Sequence, residues 1–309
     1  MVTLYLAPIR GITDSVFRTA FANIFGGFDR SIAPFVRMER GVLTKGPFRD
    51  LQPEWNRELC TVPQILSRDP EEFLLIAERF GDFGYREVNW NIGCPFPMVT
   101  KKGAGAGILP YPERVDRFLA TVMSRTKLQI SIKMRIGFKS ESEIEHLWPV
   151  LNPYPLAEIT VHPRTAKQMY DGRANVAIFE QCIASTEHKL VYSGDIETVQ
   201  DFEALKVRLP SIRHWMLGRG ALYDPFLPGK IKGKGEGERE GAICLFHDQL
   251  FRNYRERLSG PGHLLSKMQA IWAYLSTAVP NGKRFAKKIK KARDIDHYET
   301  LVEQFIRNR

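Results

Sequence analysis

The feature that most limits how this chain can fold is a series of eight short apolar or β-branched runs, at 4–8, 31–36, 61–66, 87–93, 130–136, 158–164, 190–195 and 214–220. They recur at roughly thirty residues, the length of a βα unit. Between them, 70–80 and 112–123 read as helices, because each opens on a proline at the first turn with acidic residues behind it. Strands that alternate with helices imply a parallel sheet. Eight of them imply an α/β fold of the closed (β/α)8 TIM barrel type. A doubly wound sheet is the alternative, but it usually has fewer strands.

The C-terminal ends of these runs carry the polar residues: Pro8, Gln64, Asn91 with Cys94, Lys133 with Arg135, His162 with Arg164, then Ser193, Gly194 and Asp195, and last Gly218 with Arg219. A barrel of this kind builds its active site at that face. Lys133 and Arg135 alternate along one strand, so both point to the same side, and His162 and Arg164 do the same. Charged groups there need an anion, an electron-rich ring or a salt-bridge partner. The two glycine loops after the last two runs stand where such barrels often hold a phosphate. Cys94 lies in a loop followed by the glycines 103, 105 and 107, which allow tight turns beside a ligand. Its thiol is open to three roles: packing, general acid or nucleophile.

The formal net charge is +10. Residues 229–309 hold 17 Lys and Arg against 9 Asp and Glu, a net +8, which leaves +2 for the preceding 228 residues. The segment 228–238 is rich in glycine and charge and reads as a linker or exposed loop. Beyond it, 240–258, 263–277, 282–291 and 296–307 show helical periodicity without strand signal. The division expected is therefore a barrel over 1–238 and a small all-helical domain over 239–309. Within the latter, 283–293 holds seven cations and no acid. Phe285, Ala286, Ile289 and Ala292 fall at helical spacing and leave Lys283, Arg284, Lys287, Lys288, Lys290 and Lys291 outward. Such a stripe suits a phosphodiester backbone; a solvated helix face is the plainer reading.

A hydrophobic content of 43% is ordinary for a globular chain. No apolar run approaches the roughly 18–20 residues of a membrane span. The first eight residues lack the basic region and cleavage site of a signal peptide, so a cytoplasmic protein is expected. Cys60, Cys94, Cys182 and Cys244 stand singly, which argues against disulfides or zinc; Cys60, Cys182 and Cys244 are expected to be small buried residues. No GxGxxG opens a βαβ unit, so a built-in dinucleotide fold is disfavoured, and no His, Asp or Glu cluster has metal spacing.

Together these residues resemble the dihydrouridine synthase (Dus) family. The resemblance is carried by 6–14, 62–65, 91–95, 132–137, 162–165, 193–195 and 218–221, in that order over nearly the whole barrel. It implies an FMN-binding enzyme that NADPH reduces and that reduces a uridine of tRNA. Pro8, Ile9, Arg10, Gln64, Lys133 and His162 would line the flavin ring, with Ser193 a further flavin neighbour, and Gly194, Asp195, Gly218 and Arg219 the ribityl phosphate. Hydride would pass to C6 of uracil while Cys94 protonates C5. Lys133 and His162 would polarise the carbonyls, and Asn91, Arg135 and Arg164 would contact substrate. The base must leave its stack, a base-flipping problem. The basic helical tail would grip the tRNA elbow and D-loop. The resemblance implies no metal and no membrane, and a monomer is expected. Lys167-Gln168-x-Tyr170 is similar to the branch acting on position sixteen. The chain departs from the common pattern at Ile9, Asn89, Pro110, Pro163 and Ser193; Pro163 and the Asn89-Trp90 pair bear on the base pocket.

Three other readings compete. An FMN barrel acting on a free pyrimidine would leave the basic tail unused. A non-catalytic RNA-binding barrel would carry no flavin. A flavin-free phosphate-binding barrel enzyme would turn over a sugar phosphate.

Overall fold

The computed structural model describes residues 1–235 and 238–307. All eight runs form strands: β1 (Thr3–Leu6), β2 (Arg30–Ile32), β3 (Cys60–Val62, continued by Gln64–Ile65), β4 (Glu87–Ile92), β5 (Gln129–Gly137), β6 (Ile159–Thr165), β7 (Leu190–Tyr192) and β8 (His214–Leu217). Their pairings are all parallel. The sheet runs from Cys60–Val62 through β2, β1, β8, β7, β6, β5 and β4 back to Gln64–Ile65. Both ends of the sheet thus belong to one run of chain, and the strands form a TIM barrel. Pro63 sits at the join, with no N–H to donate. Across it β3 changes partner: the Val62 carbonyl accepts from the Ala33 N–H at 3.0 Å, and the Pro63 carbonyl from the Asn89 N–H at 2.8 Å.

Strand alternation divides the barrel. Leu4, Trp90, Ile132, Val161 and Trp215 belong to the large apolar layer packed against the helices. Trp90 stacks on Phe118 with ring centroids 3.8 Å apart, and its indole N–H donates to the Ser67 carbonyl at 2.9 Å. It therefore faces away from the mouth. The lumen has two unlike halves. Tyr5, Ala7, Ile32, Val62, Val191 and Met216 form a small apolar cluster contributed by β1, β2, β3, β7 and β8. The corresponding positions on β4, β5 and β6 are Asn89, Asn91, Ser131, Lys133, Arg135, Thr160 and His162. At the N-terminal end of the lumen the Tyr5 hydroxyl donates to Glu158 at 2.9 Å, Lys189 pairs with Glu158 at 2.8 Å, and Arg30 with Glu87 at 2.7 Å. That end is closed by ion pairs, and the opposite end is left for chemistry.

Several sequence expectations change. Pro8, Ser193, Gly194, Asp195 and Gly218 lie in loops just past their strands rather than within them. The 228–238 segment is not all linker: Leu227–Ile231 is a helical turn with Leu227, Pro228 and Gly229 buried, and Lys232 pairs with Asp29; positions 236 and 237 lie outside the described residues. Cys182 is buried as expected, whereas Cys60 is exposed because it opens β3 at the rim, and Cys244 is intermediate; all four cysteines are free.

Four helices follow, Arg239–Arg257, Pro261–Leu275, Gly282–Ile289 and Ile295–Arg307. They are seated on the barrel. Phe246 packs against Phe17 and Phe25 of the first helix region, with centroids 5.3 and 5.0 Å away. Asp14 caps the helix Ser15–Ile24 by accepting from the Phe17 N–H at 3.1 Å. The same carboxylate accepts from the Tyr254 hydroxyl at 2.6 Å and from Lys267. Lys267 also donates to the Gly11 carbonyl at 2.7 Å. The loop that leaves β1 is thereby clasped by two tail helices. No helix among the described residues is long and apolar enough to cross a membrane.

Candidate active site

Cys94 follows β4 and is 8% exposed. Its position is set by a chain of buried amides. Asn91 Oδ1 accepts from the Gly93 N–H at 3.1 Å and the Cys94 N–H at 2.9 Å, which folds the chain into a turn. Asn91 Nδ2 donates to Gln64 Oε1 at 2.8 Å, Gln64 Nε2 to Asn89 Oδ1 at 2.8 Å, and Asn89 Nδ2 to Ser131 Oγ at 3.0 Å. Every buried amide in this chain is satisfied, so it is a rigid mount rather than a liability. Gln64 is fully buried within it. Burial pushes the Cys94 thiol up, against weaker downward pulls from the Phe96 backbone and from Arg10, Arg135 and Arg37. At neutral pH the sulfur is a thiol, suited to give a proton rather than to attack.

β5 supplies the cations. Asn91, Lys133 and Thr160 sit side by side across β4, β5 and β6, and Arg135 is paired with His162. Lys133 makes no ion pair or hydrogen bond with the described residues. Burial, with the neighbouring Arg135 charge, lowers its pKa to about 8. Arg135 is 2% exposed; it donates to the Gly93 carbonyl at 3.2 Å and the Thr165 carbonyl at 2.8 Å. It thus ties the Cys94 loop to the end of β6. Burial lowers its pKa to about 10.

His162 is held neutral: burial first, then the charges of Arg135, Lys133, Arg164 and Arg219, carry its pKa well below the usual imidazole range. Arg164 lies 3.1 Å from His162 Nε2. A guanidinium only donates, so Nε2 accepts and the ring proton is assigned to Nδ1. Arg164 also donates to both Asp195 oxygens, at 2.9 and 2.7 Å, and to the Gly172 carbonyl at 2.6 Å. Its Nε is buried without a partner.

Asp195 accepts from the Ala174 N–H at 2.7 Å as well. Its carboxylate is therefore committed to the 172–174 loop and Arg164. Arg219 approaches it only to 3.7 Å and Glu197 to 3.9 Å, which leaves that guanidinium donors for an anion. Ile9 and Pro8 are half-buried and Arg10 is exposed, its guanidinium 5.6 Å from the Phe35 ring centroid. The Ile9 N–H donates to Thr13 Oγ1 at 2.8 Å, which fixes the turn. Ser193 is buried.

The barrel residues expected at the site therefore converge at one mouth. The tail residues do not join them. Lys283, Arg284, Lys287 and Lys288 are exposed on a separate helix, and Lys290 and Lys291 on the turn that follows it, with Phe285, Ile289 and Ala292 buried behind them. None of those six cations forms an ion pair among the described residues. Two residues that the resemblance singles out, Asn89 and Tyr170, take a definite place at the mouth. Asn89 is the middle link of the amide chain. Tyr170, 47% exposed, lies beside His162, with ring centroids 6.4 Å apart.

The model of the dihydrouridine synthase (Dus) family matches residues 5–308. The chain is similar to the tRNA-dihydrouridine(16) synthase of Cupriavidus necator, 26% identical over 314 residues that cover 98% of this chain and 97% of the relative. It is also similar to the enzyme of the same name from Neisseria meningitidis serogroup B, 29% identical, covering 98% and 95%. Among solved structures it resembles morphinone reductase, with a TM-score of 0.53 at 11% identity, covering 79% of this chain and 88% of that one. An old yellow enzyme homologue from Zymomonas mobilis gives a TM-score of 0.55 at 10% identity, covering 76% and 89%. These two likenesses concern the barrel fold alone.

Proposed function

Since the chain belongs to the dihydrouridine synthase family, oxidoreductases of tRNA processing, we propose that it reduces the C5=C6 bond of a D-loop uridine in tRNA, using bound FMN and NADPH as reductant. The observation that carries the reading is a protonated, buried Cys94 mounted by Asn91 at the same mouth as an unpaired Lys133 and a neutral His162.

The donor set suits such a flavin. The mouth gathers Lys133, Arg135, His162, Arg164 and Arg219 against two acids, Asp195, committed to Arg164, and Glu197 near Arg219, and so favours an electron-rich ring with an anionic tail. Pro8, Ile9, Arg10, Gln64, Lys133 and His162 would hold the ring, with Ser193 beside it; Gly194, Gly218 and the backbone of Asp195 would stand at the phosphate end, with Arg219, held only loosely by Asp195 and Glu197, supplying the guanidinium. Bound there, reduced FMN supplies the hydride that goes to uracil C6.

The chain's own residues complete the reaction. Cys94 gives its proton to C5, and its burial keeps that proton in place until then. Lys133, charged at neutral pH, and the Nδ1–H of His162 donate toward the uracil carbonyls, where charge builds up as hydride arrives. Asn91 and Arg135 position the loop and the base, and Arg164 holds His162 in one tautomer. The exposed cations of 283–291 take the phosphate backbone, so 1–238 is the catalytic part and 239–309 the tRNA-binding part, acting as a monomer in the cytoplasm. Both relatives bear position 16 in their names, and with Tyr170 at the mouth that uridine is the proposed target.

The test is to map dihydrouridine in tRNA from a strain lacking this protein, and to restore it with purified yellow protein, NADPH and unmodified tRNA. Loss at position 16 and its restoration are expected. An unchanged map would overturn the proposal, and loss at another D-loop uridine would overturn the position.

A further inference from the structure

Two guanidiniums lie against Tyr170: Arg135 Cζ is 5.4 Å and Arg219 Cζ 5.2 Å from its ring centroid. Arg219 opens the short helix Arg219–Tyr223, and Tyr223, one turn on, shares its side of that helix. The Tyr223 ring centroid is 5.8 Å from that of Tyr274, on the tail helix Pro261–Leu275. Thr277 Oγ1 donates to the Tyr223 carbonyl at 2.9 Å and fixes the two parts together. Tyr170 is exposed, and Tyr223 and Tyr274 are half-buried. Cations and rings therefore follow one another from the mouth to the tail: Arg135, Tyr170, Arg219, Tyr223, Tyr274.

This row has a direction. At one end Arg135 reaches the Cys94 loop. At the other, the helix bearing Tyr274 also bears Trp272, which packs edge-on against Phe285 of the basic helix with centroids 4.8 Å apart. An apolar peptide would have no use for Arg219, whose nearest acids stay at 3.7 and 3.9 Å. Aromatic faces spaced by cations are what unpaired nucleotides need, since bases stack and phosphates pair with the guanidiniums.

We propose that Tyr170, Arg219, Tyr223 and Tyr274 form a track for the unpaired nucleotides next to the target base, joining the barrel mouth to the basic helix. This rests on the tRNA reading above and names the part of the RNA that the surface holds. It assigns Tyr274, in the tail, a stacking role at the mouth in addition to its packing against the core.

The experiment places 2-aminopurine beside position 16 in an unmodified tRNA transcript and follows its fluorescence on binding to the FMN-loaded protein. Stacking on a ring quenches it. The unsubstituted chain should quench; Tyr274→Phe should match it, and Tyr274→Leu should relieve the quench and weaken binding about tenfold, the effect of one lost stack. Tyr170→Leu, on an exposed loop where folding is not at stake, should do the same, and flavin content checks that each variant is folded. Equal quenching by all four proteins overturns the track and leaves the tRNA reading standing. No tRNA binding by the unsubstituted chain overturns both. Slower flavin reduction by NADPH with quenching intact overturns the track in favour of a dinucleotide surface.

Discussion

Gly105 stands so close to Cys94 that a Cβ on it would lie 2.7 Å from the Cys94 carbonyl oxygen and 3.0 Å from the Cys94 Cβ. Its φ of +54° also lies in the left-handed region, so alanine would be strained twice over. Gly105→Ala should cost about 1–3 kcal/mol of stability and push the Cys94 loop from its mount. Thermal melts and dihydrouridine formation check this; unchanged turnover would show that the loop's placement is not critical.

Lys133 gives a pH signature. Its pKa falls from an ordinary 10.5 to about 8 in the fold. Between those values the unfolded chain binds the more protons, so stability rises with pH across that window. The penalty is full below about pH 8 and fades toward 10.5. Lys133→Met should therefore raise the Tm of flavin-free protein at pH 7 by an amount that shrinks toward pH 10.5, while turnover is lost. A Tm difference that stays constant over that range would show that the amine carries no burial penalty.

The protonation of Cys94 is open to chemical labelling. Burial raises its pKa, while Cys60 is exposed. At pH 8 iodoacetamide should modify Cys60 about tenfold faster than Cys94, since thiolate fraction and access govern the rate. Peptide mapping reads the order. If Cys94 is labelled first, it is a thiolate and a nucleophile.

His162 is neutral in the fold, so lowering pH through the usual histidine range should not switch turnover off. Because the unfolded chain takes up that proton first, acid destabilises the protein through this residue instead. A pH–rate profile with a sharp acid limb near 6.5, lost in His162→Gln, would contradict this assignment.

The tail cations predict a separable defect. Replacing Lys287, Lys288, Lys290 and Lys291 with alanine should weaken tRNA binding by about tenfold or more at moderate salt and flatten its salt dependence. FMN retention should not change. Binding titrations at several salt concentrations decide it; unaltered affinity would mean that the helix is only a solvated face.

Much of the barrel was legible because its period is written in single residues. Strand alternation already puts Lys133 with Arg135 and His162 with Arg164, and helical spacing already turns Phe285 and Ile289 inward. What needed the structure was register between strands. Gln64, Asn89, Asn91 and Ser131 become one chain only when β3, β4 and β5 are aligned, and nothing local in the sequence marks them as partners. The Arg164–Asp195 pair joins the end of β6 to the loop after β7 in the same way. Tyr170 was hard to weigh because an aromatic residue in a loop gives no sign of whether it will be buried. Cys60 departed from expectation because exposure depends on where a strand meets the rim, not on residue type.

Asp14 serves three masters at once, as cap of Ser15–Ile24, as anchor for the β1 loop through Lys267, and as the seat of Tyr254. Its consequence is evolutionary. The inner face of the tail must keep supplying donors to this one carboxylate, or the loop carrying Ile9 and Arg10 is released. The outer face, with its row of lysines, is under no such obligation. On the proposed reading, the surface that holds RNA can be rewritten while the mouth around Cys94 stays as it is.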